Sequence, residues 1–130
     1  MAIKTRLTTK GFDEYLEKVT LAGQNIDDAA DEALRAGGEI LANGMHERVP
    51  KDTGNLDQYI GCTEPKADGN FHYVDVGVLK PDGDTARYAN VQEFGSANTP
   101  AQPYIRPTLD HDMAAARKAM REVFKDQGAL

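Results

Sequence analysis

The stretch from Tyr88 to Thr108 constrains this chain more than any other. Pro100, Pro103 and Pro107 restrict its backbone and Gly95 frees it at one point, so a specific path is set between two segments of helical pattern. The stretch contains no plausible nucleophile–base pair and no metal cluster. A chain whose most specified segment is a connector reads as an assembly part rather than as an enzyme.

The 130 residues fit one domain, spanning 1–130, with enough large apolar groups for one modest core. Phe12, Leu16, Val19, Ile26, Leu34, Ile40, Leu41, Met45, Val74, Val76, Val78, Leu109, Met113, Met120 and Phe124 are the expected core residues. Cys62 is the only cysteine, so no internal disulfide framework is possible, which fits a reducing compartment. No apolar run approaches the ~20 residues that cross a bilayer, and the basic Met1–Arg6 stretch lacks the apolar region of a secretory signal. A soluble protein made in a cytoplasm is expected. The formal charge of −6 argues against a dedicated nucleic-acid binder, although an acidic wall can face DNA without sticking to it.

Residues 3–8 alternate weakly and suit a short strand or an ordered arm. Phe12, Tyr15, Leu16 and Val19 share one helical face, with Asp13 and Glu14 in its first turn and Gly23 at its end. The clearest helix follows, capped by Asn25, with Asp28 in the position of a capping-box acid. Its stripe of Ile26, Ala29, Ala30, Ala33, Leu34, Gly37, Ile40, Leu41, Gly44 and Met45 is rich in small residues that admit a close neighbour, and Gly37 and Gly38 read as core glycines, as a close subunit contact or as a kink. Pro50 biases Val49 out of the helical region, and a turn is expected across Asp52, Thr53 and Gly54. Leu56 to Thr63 reads as a strand. After a turn at 67–70, residues 71–78 alternate with period two, setting His72, Val74, Val76 and Val78 on one face. Lys80 to Thr85 reads as a surface loop. Arg87 to Phe94 reads as a short helix closed by a left-handed Gly95. Pro107 suits the first turn of a C-terminal helix whose core face is Leu109, Met113, Ala116, Ala119, Met120, Val123 and Phe124. The resulting fold class is α+β, a long helix in the N-terminal half and a C-terminal helix packed on a small antiparallel sheet.

Catalytic, cofactor-binding and metal residues are all read as none. His46, His72 and His111 fall in different elements without metal-ligand spacing. The Asp110-His111-Asp112 run points its side chains in different directions along a helix, and no nucleotide fingerprint is present. Glu93, beside Phe94 and Gly95, is the most interesting acid, suited to accept backbone hydrogen bonds or to pair with Arg106.

These blocks together resemble a known family, the tail-component proteins of long-tailed bacteriophages, described as tail-completion or head–tail joining proteins. The likeness runs from Gly11 and Phe12 through the long helix into Pro50, Thr53, Gly54 and Leu56. It is strongest at Tyr88 and Ala89, then Gln92, Glu93, Phe94 and Gly95, then Pro100, Pro103, Tyr104, Arg106 and Pro107. Two departures stand out. Tyr59 occupies a place expected for a small hydroxyl residue, and Tyr104 replaces a commoner phenylalanine.

The resemblance implies a structural virion protein without cofactors, made in an infected bacterium and placed at the head–tail junction. It implies a ring of copies, commonly six, contacting head-connector and tail-tube or tail-terminator proteins. DNA would pass through without sequence-specific binding, and no membrane is involved. A tail terminator or another tube-associated part is the alternative. The Lys80 to Thr85 loop and the Gly95 to Pro103 segment would meet neighbours, with Tyr88, Phe94 and Tyr104 as aromatic anchor candidates and Arg106 as a directional charge. A passage lined by some of Asp52, Asp57, Asp68, Asp75, Asp82 and Asp84 would resist adhesion of DNA.

Overall fold

The computed structural model describes residues 4–51, 55–69 and 71–129. The turn read at 52–54, with Asp52, Thr53 and Gly54, lies outside the described residues. In chain order the elements are β1 (Lys4–Thr8), α1 (Asp13–Leu21), α2 (Ile26–Arg48), α3 (Asn55–Gln58), β2 (Ile60–Cys62), β3 (Lys66–Asp68), β4 (Phe71–Val78), α4 (Gly83–Phe94) and α5 (Ile105–Asp126).

The sheet is built around β4, with β1 antiparallel on one side and β2 and β3 antiparallel on the other. Register places Leu7 opposite Val74 and Ile60 opposite Val78. The period-two pattern of β4 turns Val74, Val76 and Val78 into the core, where all three are buried. Burial nevertheless runs unbroken from Val74 to Val78, because Asp75 on the opposite face is covered. Its carboxylate accepts from Arg6 Nε at 2.8 Å and faces Lys4 Nζ at 3.5 Å, while the Arg6 guanidinium lies 3.9 Å over the Tyr73 ring. The Arg6 hydrogen bond holds the Asp75 carboxyl below its ordinary pKa.

Asn25 starts α2 as its sequence suggests, its side-chain oxygen accepting from the N–H groups of Asp27 and Asp28. Pro50 stops it by holding Val49 extended, at φ −68° and ψ 140°. The expected core-facing stripe is buried between Ala29 and Met45 except for the half-buried Ile40, and Ile26, the first residue of α2, is exposed. The small residues admit close neighbours within the chain. An added Cβ at Gly38 would collide with Cys62 Sγ of β2. At Gly37 it would come within 3.0 Å of Leu7 and Met120. At Gly44 it would strike the Asp112 carboxylate and come within 2.9 Å of Thr108 in α5. One flank of α2 therefore rests on the sheet and another on α5.

The α2 and α5 helices run antiparallel. Arg48 near the end of α2 reaches Asp112 near the start of α5, and Gln127 just beyond α5 bonds Glu32 near the start of α2. At that second end Phe12, Tyr15 and Phe124 form an aromatic corner, with Phe12 and Phe124 centroids 5.4 Å apart.

Two expected segments differ. Leu56 to Thr63 is not one strand: Asn55–Gln58 makes a helical turn that plugs the buried Leu56 into the core and sets Asp57 Oδ1 2.6 Å from His46 Nδ1. Only Ile60–Cys62 pairs with β4. Lys80 to Thr85 is not a continuous loop either. The Asp82 side chain accepts from the Thr85 N–H at 2.7 Å and starts α4 at Gly83.

Gly44→Ala is expected to lower stability by about 1–3 kcal/mol through overpacking against α5, outweighing alanine's better helix propensity. Gly83→Ala, with nothing within 4 Å of its added Cβ, is expected to be neutral or mildly stabilising. Chemical denaturation of the two variants measures the contrast.

Candidate functional site

The connector singled out by its prolines is organised by one carboxylate. Glu93, buried near the end of α4, accepts from the backbone N–H groups of Tyr104 and Ile105 through Oε1, at 3.0 and 2.8 Å, and from that of Arg106 through Oε2, at 3.1 Å. A helix leaves its first N–H groups without intrahelical partners. Tyr104, at the cap position of α5, supplies no side-chain cap. Glu93 replaces it from across the loop, and the next residue, Pro107, has no N–H to satisfy. The carboxylate also sits where a helix N-terminus favours negative charge.

The loop between the helices is held at both ends. The Gly95 N–H bonds Val91 O at 2.7 Å, and the Gln102 N–H bonds Gln92 O at 2.7 Å. Gly95 has the expected positive φ of 78°, but its ψ of 174° is extended rather than left-handed helical. A Cβ there would also lie 3.1 Å from the Ala101 nitrogen and 3.2 Å from the Thr99 oxygen. Both the dihedral and the crowding select glycine.

One turn into α5, Thr108 Oγ1 donates to Tyr104 O at 2.7 Å and accepts from Arg48 Nη1 at 3.1 Å. Arg48 also donates to Asp112 at 2.6 Å. The start of α5 is thus tied to α4 by Glu93 and to α2 by Arg48. Beside this rigid junction opens a cleft of about 440 Å³ between the start of β1, the end of α4 and the first turns of α5. Phe94, Ile105 and Leu109 give it apolar walls, and Lys4, Arg106 and Asp110 give it charge.

The residues singled out from sequence separate into two groups. Glu93, Phe94 and Arg106 meet at the cleft, with Phe94 58% exposed and Arg106 exposed. Gly95, Pro103 and Pro107 shape the connector that leads there. Pro50 and Leu56 lie at the far side of α2's end and serve folding, and Tyr88 is half-buried against the core. Tyr104 is a core residue, fully buried, which removes it from the surface anchors. Its hydroxyl has no hydrogen-bond partner among the described residues, and burial pushes its pKa up. Glu93 does bind Arg106, but through the backbone N–H rather than the guanidinium. Leu109, expected in the core, is half-exposed in the cleft wall.

Several polar groups are engaged elsewhere. Asp75 is buried and paired, so it cannot line a passage. Asp57 is paired with His46, Asp82 caps α4, and Asp84 pairs with Arg87. His72 sets Nδ1 2.8 Å from Asp31 and Nε2 3.1 Å from Asp27, pinning β4 to the start of α2. Burial pushes the Cys62 thiol up to about 11, so it is protonated at neutral pH. Lys4 and Thr5 escaped the sequence reading because nothing in a strand's alternation says which helix ends will overhang its edge.

A family model described as the bacteriophage HK97-gp10 tail component matches residues 10–95, about two thirds of the chain. The match ends at Gly95, so the Pro100 to Pro107 block and α5 lie beyond it. Comparisons with curated proteins and with solved structures gave no match.

Two substitutions test the junction. Glu93→Ala leaves three N–H groups unpaired and is expected to cost on the order of 3 kcal/mol, with Glu93→Gln intermediate; urea unfolding measures both. Tyr104→Phe removes a buried hydroxyl that has no partner, and is expected to leave the melting temperature unchanged or raise it, by up to about 1 kcal/mol of stability. A clear loss would show that the hydroxyl is satisfied in solution.

Proposed function

The chain belongs to the HK97-gp10-like family of bacteriophage tail components, and from that premise we propose that it completes the tail at the head–tail junction. In this reading it is a stiff structural subunit that repeats as a ring, touches head-connector and tail-tube or tail-terminator proteins, and leaves a passage for DNA. The observation that carries the reading is the Glu93 junction. The polar groups of the connector hold backbone, and what they turn outward is an exposed Phe94 and Arg106 beside an apolar cleft. Such a surface suits a protein contact, because buried aromatic and arginine anchors dominate interface energies.

The reading also suits the charge. A chain of net charge −6 repels a polyanion rather than binding it. Asp68, exposed on β3, remains available to a passage wall, whereas Asp75 does not.

A phage lacking this polypeptide is expected to accumulate filled heads and finished tails that stay separate, with joining restored by adding the purified protein. Electron microscopy of the particles reads this directly. Joined, infectious particles without the protein would overturn the proposal. Density for the subunit at the tube end rather than on the connector side would favour the tail-terminator alternative.

A further inference from the structure

Strand β1 ends the strand order of the sheet and pairs only with β4 among the described residues. The direction of its backbone groups follows from the ladder. The Thr9 N–H bonds His72 O at 3.0 Å, and on the far side of β4 the Thr63 N–H bonds Asp75 O at 2.9 Å. Bonded and non-bonded pairs alternate along an antiparallel ladder, so Thr5, Leu7 and Thr9 turn their N–H and C=O groups to β4. Lys4, Arg6 and Thr8 turn theirs away from the sheet, where no described residue bonds them. The opposite edge is blunted: β2 and β3 have three residues each, Pro65 lies between them, and Lys66 and Asp68 are exposed. β1 runs five residues without a break. Apolar surface flanks its core side. Leu7 and Met120 both lie 3.0 Å from where a Cβ of Gly37 would stand, so α5 passes along that side, and Thr5 shares the cleft with Phe94, Ile105 and Leu109. A strand added to this edge lies roughly 4.8 Å beyond β1 and points every second side chain the way of Thr5 and Leu7, toward that apolar wall.

We infer that the β1 edge and the cleft together take an extended segment of another protein as an added strand. Its backbone bonds the outward groups of Arg6 and Thr8, and its alternate apolar side chains seat on Phe94, Ile105 and Leu109. The occupant is a strand because only extended backbone repeats donors and acceptors at the two-residue period of those groups. Charge decides whose strand it is. Pairing β1 with β1 of a second copy over its full length sets Arg6 against Arg6, and like charges directly opposite across strands are destabilising. Cations on an edge strand discourage such self-pairing. A strand with no cation opposite Arg6, whose guanidinium already pairs with Asp75, meets no such penalty. The inference deepens the proposed function and rests on it for the source of the strand, a neighbouring tail or connector protein rather than another copy.

NMR of the full chain tests the edge with a defined probe, a capped peptide of alternating valine and threonine. In the free protein the amides of Leu7 and Thr9 are expected to exchange slowly and those of Arg6 and Thr8 at open rates. Adding the peptide is expected to slow exchange at Arg6 and Thr8 and to shift the methyl signals of Ile105 and Leu109. Thr8→Pro removes an outward N–H that the ladder does not use, a place where an edge strand accepts proline. It is expected to keep the melting transition and weaken peptide binding by about tenfold or more. Leu109→Asp, at a half-exposed cleft position, is expected to weaken binding similarly through the side-chain contact alone. Slow exchange at Arg6 and Thr8 in the free monomer overturns the inference. So does binding that ignores both variants, or no binding at peptide concentrations on the order of 1 mM. A wild type that dimerises through these two amides overturns the choice of partner. Failure with the peptide leaves the tail role standing, because no other phage component takes part. Joined particles formed without the protein would end that role, and with it the source of the strand, while leaving the peptide result intact.

Discussion

A buried carboxylate with three backbone donors sets the geometry of the junction between α4 and α5 in this protein. Glu93 takes the N–H groups of Tyr104, Ile105 and Arg106, and each of those donors would otherwise be a buried or part-buried group without a partner, at roughly 1–3 kcal/mol apiece. The charge makes each bond stronger than a neutral one. The arrangement locks the end of α4 to the start of α5, so the loop between them cannot drift even though it contains no regular structure. Pro107 completes the arrangement because it has no N–H of its own to be satisfied. The cleft beside the junction inherits this rigidity, as does the direction in which Phe94 and Arg106 point.

The other half of the scaffold depends on how closely α2 can be approached. Gly37, Gly38 and Gly44 remove side chains where Met120, Cys62 and Asp112 press in. That closeness lets Arg48 span from the backbone of its own helix to Thr108 and Asp112. The Glu93 and Arg48 contacts hold the first turns of α5 from two sides. Such a frame leaves little ordering entropy to be lost if the surface it carries is covered by a partner.

Much of this frame is legible in the sequence wherever the cause is local. Asn25 capping α2, Pro50 ending it, the alternation of β4 and the glycine after Phe94 are each decided by neighbours a few residues away. The fold class follows from those elements and their apolar faces. What sequence does not reveal is tertiary. Glu93 finds donors 11 to 13 residues distant, and the spacing alone leaves open whether it bonds the Arg106 backbone or its guanidinium. Asp75 looks like a solvent-facing acid in an alternating strand, and only the pairing of β1 with β4 brings Arg6 and Lys4 over it. Asp82 resembles a loop residue because a capping side chain and a turn side chain are the same residue types. Ile26 and Leu109 continue the apolar stripes of their helices but turn toward solvent, so periodicity assigns them to a core they do not enter.

The central claim is that Glu93 holds the N-terminus of α5 in the folded protein. Amide hydrogen exchange at Tyr104, Ile105 and Arg106, followed by NMR at neutral pH, tests it most directly. Donors held by the carboxylate exchange slowly, at rates approaching those of the α5 interior, and lose that protection when Glu93 is replaced. Exchange of these three amides at the rate of an open loop in the unmodified protein would contradict the account.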